Sequence, residues 1–170
     1  MRSLLFTLTL IPLLLLGAGC KRRHKSSETQ LPVSTIFAGD PNVADHFAKG
    51  FYSVEAGAWR WTAKEFAVDL SAPLNSDQKG AQLVVKLAVP DAVIQKSGSV
   101  QLSASIDNYK LPPETYSKSG SYTYTRDVPA DKLPGGTVQI NFAVDHTLPP
   151  TGSDIRELGI IVSDVGLVAK

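Results

Sequence analysis

Beyond Gly50, apolar residues recur at every second position through most of the chain. Val100, Leu102, Ala104 and Ile106 alternate with Gln101, Ser103 and Ser105 without a break. Val138, Ile140, Phe142 and Val144 repeat the pattern over residues 137–145, and Leu83, Val85, Leu87 and Val89 over residues 81–89. Phe66, Val68 and Leu70 form another run, Tyr122 and Tyr124 mark one more, and Leu158, Ile160 and Val162 mark one near the C-terminus. Residues 51–54 and 58–62 are shorter runs. A period of two puts one face of each segment in a core and the other in water. About seven to nine such segments predict an all-β fold, a single antiparallel β-sandwich of jelly-roll-like form.

The punctuation agrees with that reading. Asp107-Asn108 suits the positive φ angles of a tight hairpin. Pro112-Pro113, Pro134-Gly135-Gly136 and Pro149-Pro150 are expected to break the remaining joints. One short helix is predicted over residues 42–49, with Asp40 as its cap, Pro41 as its first residue, and Val43 and Phe47 on one stripe. Its place is over the end of the sandwich. The sequence shows no internal repeat.

Ahead of these segments the chain changes character. Met1-Arg2 is followed by an apolar stretch from Leu4 to Leu16, interrupted by Thr7, Thr9 and Pro12. That is shorter than the ~20 residues a membrane-spanning helix needs, and it reads as a secretory signal. Leu16, Ala18, Gly19 and Cys20 resemble a bacterial lipobox, although Gly17 stands where Leu is usual. The resemblance implies cleavage before Cys20, the only Cys of the chain, and a diacylglyceryl group on its sulfur. The alternative is an ordinary signal peptide with a leftover thiol. Acyl chains contribute ~0.8 kcal/mol per buried CH₂, so several of them make a stable anchor. Lys21, Arg22, Arg23 and Lys25 follow, either drawn to anionic head groups or serving as a solvated spacer. By resemblance to enterobacterial sorting, Lys21 after the Cys points to the outer membrane of a bacterial cell envelope. The expected division is a signal peptide at 1–19, a lipidated Cys with a basic and polar tether at 20–39, and the β-sandwich at 40–170.

Composition narrows the function. The 43% hydrophobic and 19% charged residues are ordinary for a folded domain. Seventeen basic against sixteen acidic residues give a formal charge of +1, which offers no electrostatic case for nucleic acid. With one Cys and three scattered His, there is neither a disulfide framework nor a metal-ligand pattern, and no cofactor is expected. The Gly-x-Ser-x-Gly elbow, the phosphate-binding glycine loop and His-Glu-x-x-His are absent. Ser76-Asp77-Gln78-Lys79 matches Ser-x-x-Lys, but its flanks, Asn75 and Gly80, suggest a hairpin loop. The expected protein is not an enzyme.

Candidate binding residues cluster instead. Trp59 and Trp61, the only tryptophans, bracket Arg60 and follow Glu55. On a strand the two indoles share one face and Arg60 takes the other. Facing the core, they are packing anchors; facing out, they are platforms ~6–7 Å apart for the apolar C–H faces of sugar rings. Arg156, beside Asp154 and Glu157, could join Arg60 and Glu55 in a charge network that is structural or that binds ligand. Tyr109 and Tyr116, on a polar stretch, are further stacking candidates or packing residues.

Residues 50–61 and 154–162 resemble the opening and closing strands of a largely uncharacterised bacterial β-sandwich family. Residues 100–107, 128–130 and 138–145 keep the same order between them. The family comprises small exported or lipid-anchored proteins, and similar modules accompany cell-surface polysaccharide enzymes. The resemblance covers about residues 40–168 and implies a carbohydrate-binding-module-like fold. It brings no established functional residues. Two functions are expected on these grounds: a non-catalytic envelope lipoprotein whose sandwich binds a ligand, with polysaccharide favoured, or an adaptor that binds another envelope protein.

Overall fold

The computed structural model describes residues 32–170. The expected signal peptide, Cys20 and the basic segment lie outside the described residues. Nine strands follow in order: β1 (Thr35–Phe37), β2 (Lys49–Glu55), β3 (Trp59–Ser71), β4 (Ala81–Val89), β5 (Val100–Ile106), β6 (Tyr109–Tyr116), β7 (Gly120–Val128), β8 (Thr137–Val144) and β9 (Ile161–Ala169). Every pairing is antiparallel, in the order β6-β5-β8-β3-β9-β4-β7, with β1 added to β9 and β2 to β3. Strand β3 serves two neighbours in succession. Arg60 and Trp61 pair with β9, and Glu65–Ser71 pair with β8. The result is an antiparallel β-sandwich in which β6-β5-β8 and β9-β4-β7 form the two layers and β3 passes between them.

The alternating residues face each other across one core. Val100, Leu102, Ala104 and Ile106 of β5, and Val138, Ile140, Phe142 and Val144 of β8, are all buried. They meet Phe66, Val68 and Leu70 of β3 and Leu83, Val85, Leu87 and Val89 of β4 in a single cluster. Phe66 stacks on Phe142 with centroids 4.9 Å apart.

The structure departs from the sequence pattern where tertiary contacts override local signals. The short run near Trp59 and the run at Phe66 are one thirteen-residue strand. The C-terminal strand begins later than Leu158, which instead bridges Leu148. The folded unit starts before residue 40. Thr35–Phe37 pairs with β9, and Ile36 is fully buried, so the end of the expected tether is a strand. The helix after Asp40 exists as a 3₁₀ turn, Pro41–His46, capped by the Asp40 carboxylate accepting from Asn42 N–H at 2.8 Å. Lys49 is already in β2. Two helical segments carry no strong signal: α1 (Ser76–Lys79), where a hairpin loop was expected, and α2 (Asp91–Ser97). In β2, Gly50 adopts φ +71° at a bulge, and a Cβ there would sit 2.0 Å from the Glu65 carbonyl oxygen.

Strand β6 holds the sharpest disagreement. Pro112-Pro113 was expected to break the chain but lies inside the strand. Proline is tolerated on an edge strand and at a bulge, because no ladder N–H is then needed. Here β6 is terminal in the strand order, and the β5–β6 register slips between Leu102 and Ala104, opposite the prolines. The carbonyls left over are engaged from the other end of the sheet. Arg126 of β7 donates to Pro112 O at 2.6 Å and Pro113 O at 3.1 Å, and pairs with Glu114 at 2.9 Å. The Tyr124 hydroxyl donates to the same Pro112 oxygen at 2.9 Å, and the guanidinium lies 4.2 Å over the Tyr124 ring. Side chains thus join the two terminal strands where a backbone ladder does not. Arg126→Met keeps the aliphatic stem but removes this clasp. It should lower unfolding free energy by about 2 kcal/mol, as charge-assisted hydrogen bonds of this kind are lost. An unchanged urea midpoint would show that the seam holds without it.

Candidate functional site

A slip in the β4–β9 ladder builds the site. Lys86 pairs with Asp164 and Leu87 with Val162, so β9 carries one residue too many at Ser163. Val162 and Val165 are both buried, which leaves Ser163 and Asp164 together outside the core. Lys86 Nζ reaches Asp164 Oδ1 at 3.2 Å, and the Ser163 hydroxyl donates to Asp164 Oδ2 at 2.6 Å. Across the same outer face, the register aligns Trp61, Ile161, Ala88 and Ser121 on successive strands. Ala88 and Ser121 project little, so the face is hollow there. Trp59 and Lys86 border the hollow, which has a volume of about 450 Å³.

The two tryptophans therefore lie on the outer face, half-buried. Their centroids are 6.3 Å apart, but the rings meet at 79°. They are not a pair of parallel platforms. Trp59 lines the hollow, and Trp61 packs edge-to-face against it. An indole beside hydroxyls, an ammonium and a carboxylate offers an apolar surface with hydrogen-bonding groups around it.

The other sequence candidates disperse. Arg60 points away from the indoles. Its Nε donates to Ala38 O at 3.1 Å, its Nη1 to Tyr52 O at 3.1 Å, and its guanidinium lies 4.7 Å over the Phe47 ring. It joins no ion pair among the described residues and fastens β2 to the segment after β1. Arg156 forms part of the expected network, without Arg60: it pairs with Asp154 at 2.7 Å and Glu55 at 2.8 Å. It also stands 5.3 Å over the Tyr52 ring, while the Tyr52 hydroxyl donates to Glu157 O. Glu55 lies directly opposite Trp59 in the β2–β3 register, so this cluster borders the tryptophan face. Tyr109 is half-buried, lines a separate hollow beside Asp107 and Asp131, and has Lys132 Nζ 5.6 Å from its ring. Tyr116 is corrected outright as a stacking candidate. It is 3% exposed, packed on Tyr122 at 4.5 Å, and its hydroxyl has no hydrogen-bond partner among the described residues. Burial pushes the pKa of that hydroxyl well above the usual phenol value.

Lys86, Ser163 and Asp164 were missed by the sequence reading. Lys86 reads there as one more polar residue of an alternating strand, and nothing local marks the bulge at Ser163. Among the described residues, no three His, Cys, Asp or Glu side chains converge as a metal site requires.

Hydrogen bonds from Arg156 hold the Asp154 carboxyl below its ordinary 3.8, at about 2. The Arg156 guanidinium is in turn held in its charged form by Asp154 and Glu55. A carboxyl depressed on folding contributes stability above its unfolded value and loses it as pH falls through the folded one. The cluster's contribution should therefore be complete above about pH 4 and fade toward about pH 2. Arg156→Ala should lower the melting temperature by roughly 3 °C at neutral pH, the scale of a partly exposed ion cluster. The gap from the parent should narrow near pH 2. A pH-independent gap would point to lost packing on Tyr52 instead.

No protein-family model and no curated protein matches the sequence. Solved structures do resemble the fold. A carbohydrate-binding module studied for specific mannan recognition, TmCBM27, aligns with a TM-score of 0.47 and 11% identity over 82% of this chain and 98% of that one. The module CBM36, solved with calcium and xylotriose, aligns with a TM-score of 0.41 and 12% identity over 79% and 99%. Xylanase 10C of Cellvibrio japonicus, solved with xylopentaose, aligns with a TM-score of 0.36 and 13% identity over 72% of this chain and 27% of its own.

Proposed function

We propose that the protein is a non-catalytic envelope lipoprotein whose sandwich binds a glycan in the hollow beside Trp59. The observation that carries this reading is an indole bordering an outward hollow of about 450 Å³, floored by Ala88 and Ser121. A sugar ring laid on the indole puts its apolar C–H face on the aromatic surface. Its hydroxyls then meet Lys86 and Ser163, which line the hollow and are held in place by Asp164. Lys86 and Asp164 cancel in charge, which suits a neutral sugar. The size falls within the range of small-ligand sites.

The adaptor reading asks for an open sheet edge or a contiguous apolar patch. Strand β2 is an edge, pairing only with β3, but two register irregularities interrupt it. Bulged edges are poor templates for a further strand, so the hollow supports ligand binding better than strand addition.

Both tryptophans of the chain lie at this face, so intrinsic fluorescence reports on it selectively. Neutral oligosaccharides of the envelope should produce a saturable emission change. Trp59→Ala should weaken binding by at least about tenfold while circular dichroism stays unchanged. A panel of neutral glycans that leaves emission unaltered would remove the reading.

The anchor belongs to the same proposal. Cys20→Ser should move the protein from the membrane fraction to the soluble one, because acyl attachment needs the thiol. Continued tight membrane association of that variant would defeat the lipoprotein assignment.

A further inference from the structure

The opposite layer carries a second hollow, on residues that the Trp59 site does not use. The register aligns Glu65, Ala143 and Ser103 in one row across β3, β8 and β5. The next row is Ala67, Asn141, Ser105 and Lys110, across β3, β8, β5 and β6. Between the rows lies a cavity of about 420 Å³, close in size to the first. Its floor is Ser103, Ser105, Asn141 and Ala143. Exposed positions on inner strands favour β-branched and aromatic residues, and Asn and Ala are depleted there. Short side chains at these central positions forgo cross-strand packing and leave a depression. Local choices that work against strand stability are expected where a site is built.

The walls are long and charged. Lys49 pairs with Glu65 at 3.3 Å on one side, and Lys110 stands on the other. Lys110 has no carboxylate partner among the described residues, so the hollow holds one unbalanced positive charge. Phe142 underlies the floor, but it is 3% exposed and stacked on Phe66, so it presents no ring face to a ligand. The chemistry thus differs from that of the Trp59 hollow: hydroxyl and amide groups with an ammonium, and no aromatic platform.

We infer that this hollow is a second binding site, for an acidic saccharide. Sugar hydroxyls would pair with Ser103, Ser105 and the Asn141 amide, which both donate and accept. A sugar carboxylate would pair with Lys110 in a charge-assisted hydrogen bond. The inference stands independently of the glycan reading for Trp59.

The test uses trigalacturonate and its methyl ester, which has the same shape without the charge, titrated calorimetrically into the full chain. Trigalacturonate should give binding heat without altering tryptophan emission, because both indoles lie in the other layer. Lys110→Gln, an exposed substitution, should weaken binding by about tenfold, as expected for one charge-assisted bond. Ser105→Phe, which fills the floor, should abolish it, and Trp59→Ala should leave it intact. Absence of heat, equal binding of the ester, or loss of binding in Trp59→Ala would each overturn the inference. Because the last variant separates the two hollows, failure of either site is read apart from failure of the other.

Discussion

One strand has to belong to both layers, and the rest of the architecture follows from that constraint. Strand β3 pairs first with β9 and then with β8. Its two halves therefore do different work. Beyond Glu65, the side chains of Phe66, Val68 and Leu70 close the core. Before Thr62, Trp59 and Trp61 lie on an outer face and Arg60 on the inner one. Thr62 marks the crossing point, where it is fully buried and its hydroxyl accepts from Ile160 N–H at 3.1 Å. The backbone is held there as well, since Thr62 N donates to Ile160 O at 2.9 Å and Thr62 O accepts from Gly159 N at 2.7 Å. Gly159 has to be a glycine for that approach, because a Cβ would fall 2.8 Å from the Thr62 hydroxyl.

Folding the sheet at β3 brings its two ends together and creates a second problem. Terminal strands expose unpaired backbone groups. At β6 the prolines remove donors, and Arg126 with Tyr124 occupies the carbonyls that remain. A guanidinium suits this role because its donors are planar, fixed and always charged. The same seam buries Tyr116 without a partner for its hydroxyl, the one buried side-chain polar atom so left among the described residues.

The two outer faces are hollowed by the same means. On each, short side chains occupy inner strands while longer charged ones stand at the sides. What separates them chemically is the presence of Trp59 on one face and the unbalanced Lys110 on the other. A bulge in β9 brings Ser163 and Asp164 to the first, and a bulge between β5 and β6 lies beside the second. Irregular pairing of this kind re-aims side chains that a regular ladder would place inward.

Alternation alone settled the fold class and most of the core. The buried rows of β4, β5 and β8 are those read from the period of two, because a half-buried strand cannot hide that period. Asp40 as a cap and Asp107 at a positive φ of 48° were equally readable, since capping and tight turns depend on neighbours in sequence. The pairing of Arg156 with Asp154 was legible for the same reason. Its bond to Glu55, a hundred residues earlier in the chain, was expected only as one arrangement among several. Tertiary structure alone decided the rest. It put prolines inside β6, made a strand of the presumed tether, buried Tyr116 and gave Arg60 backbone carbonyls as partners in place of a carboxylate. It also chose which face of Trp59 meets solvent. Each of these depends on which strand lies alongside and in what register, and register is fixed by contacts between segments far apart in the chain.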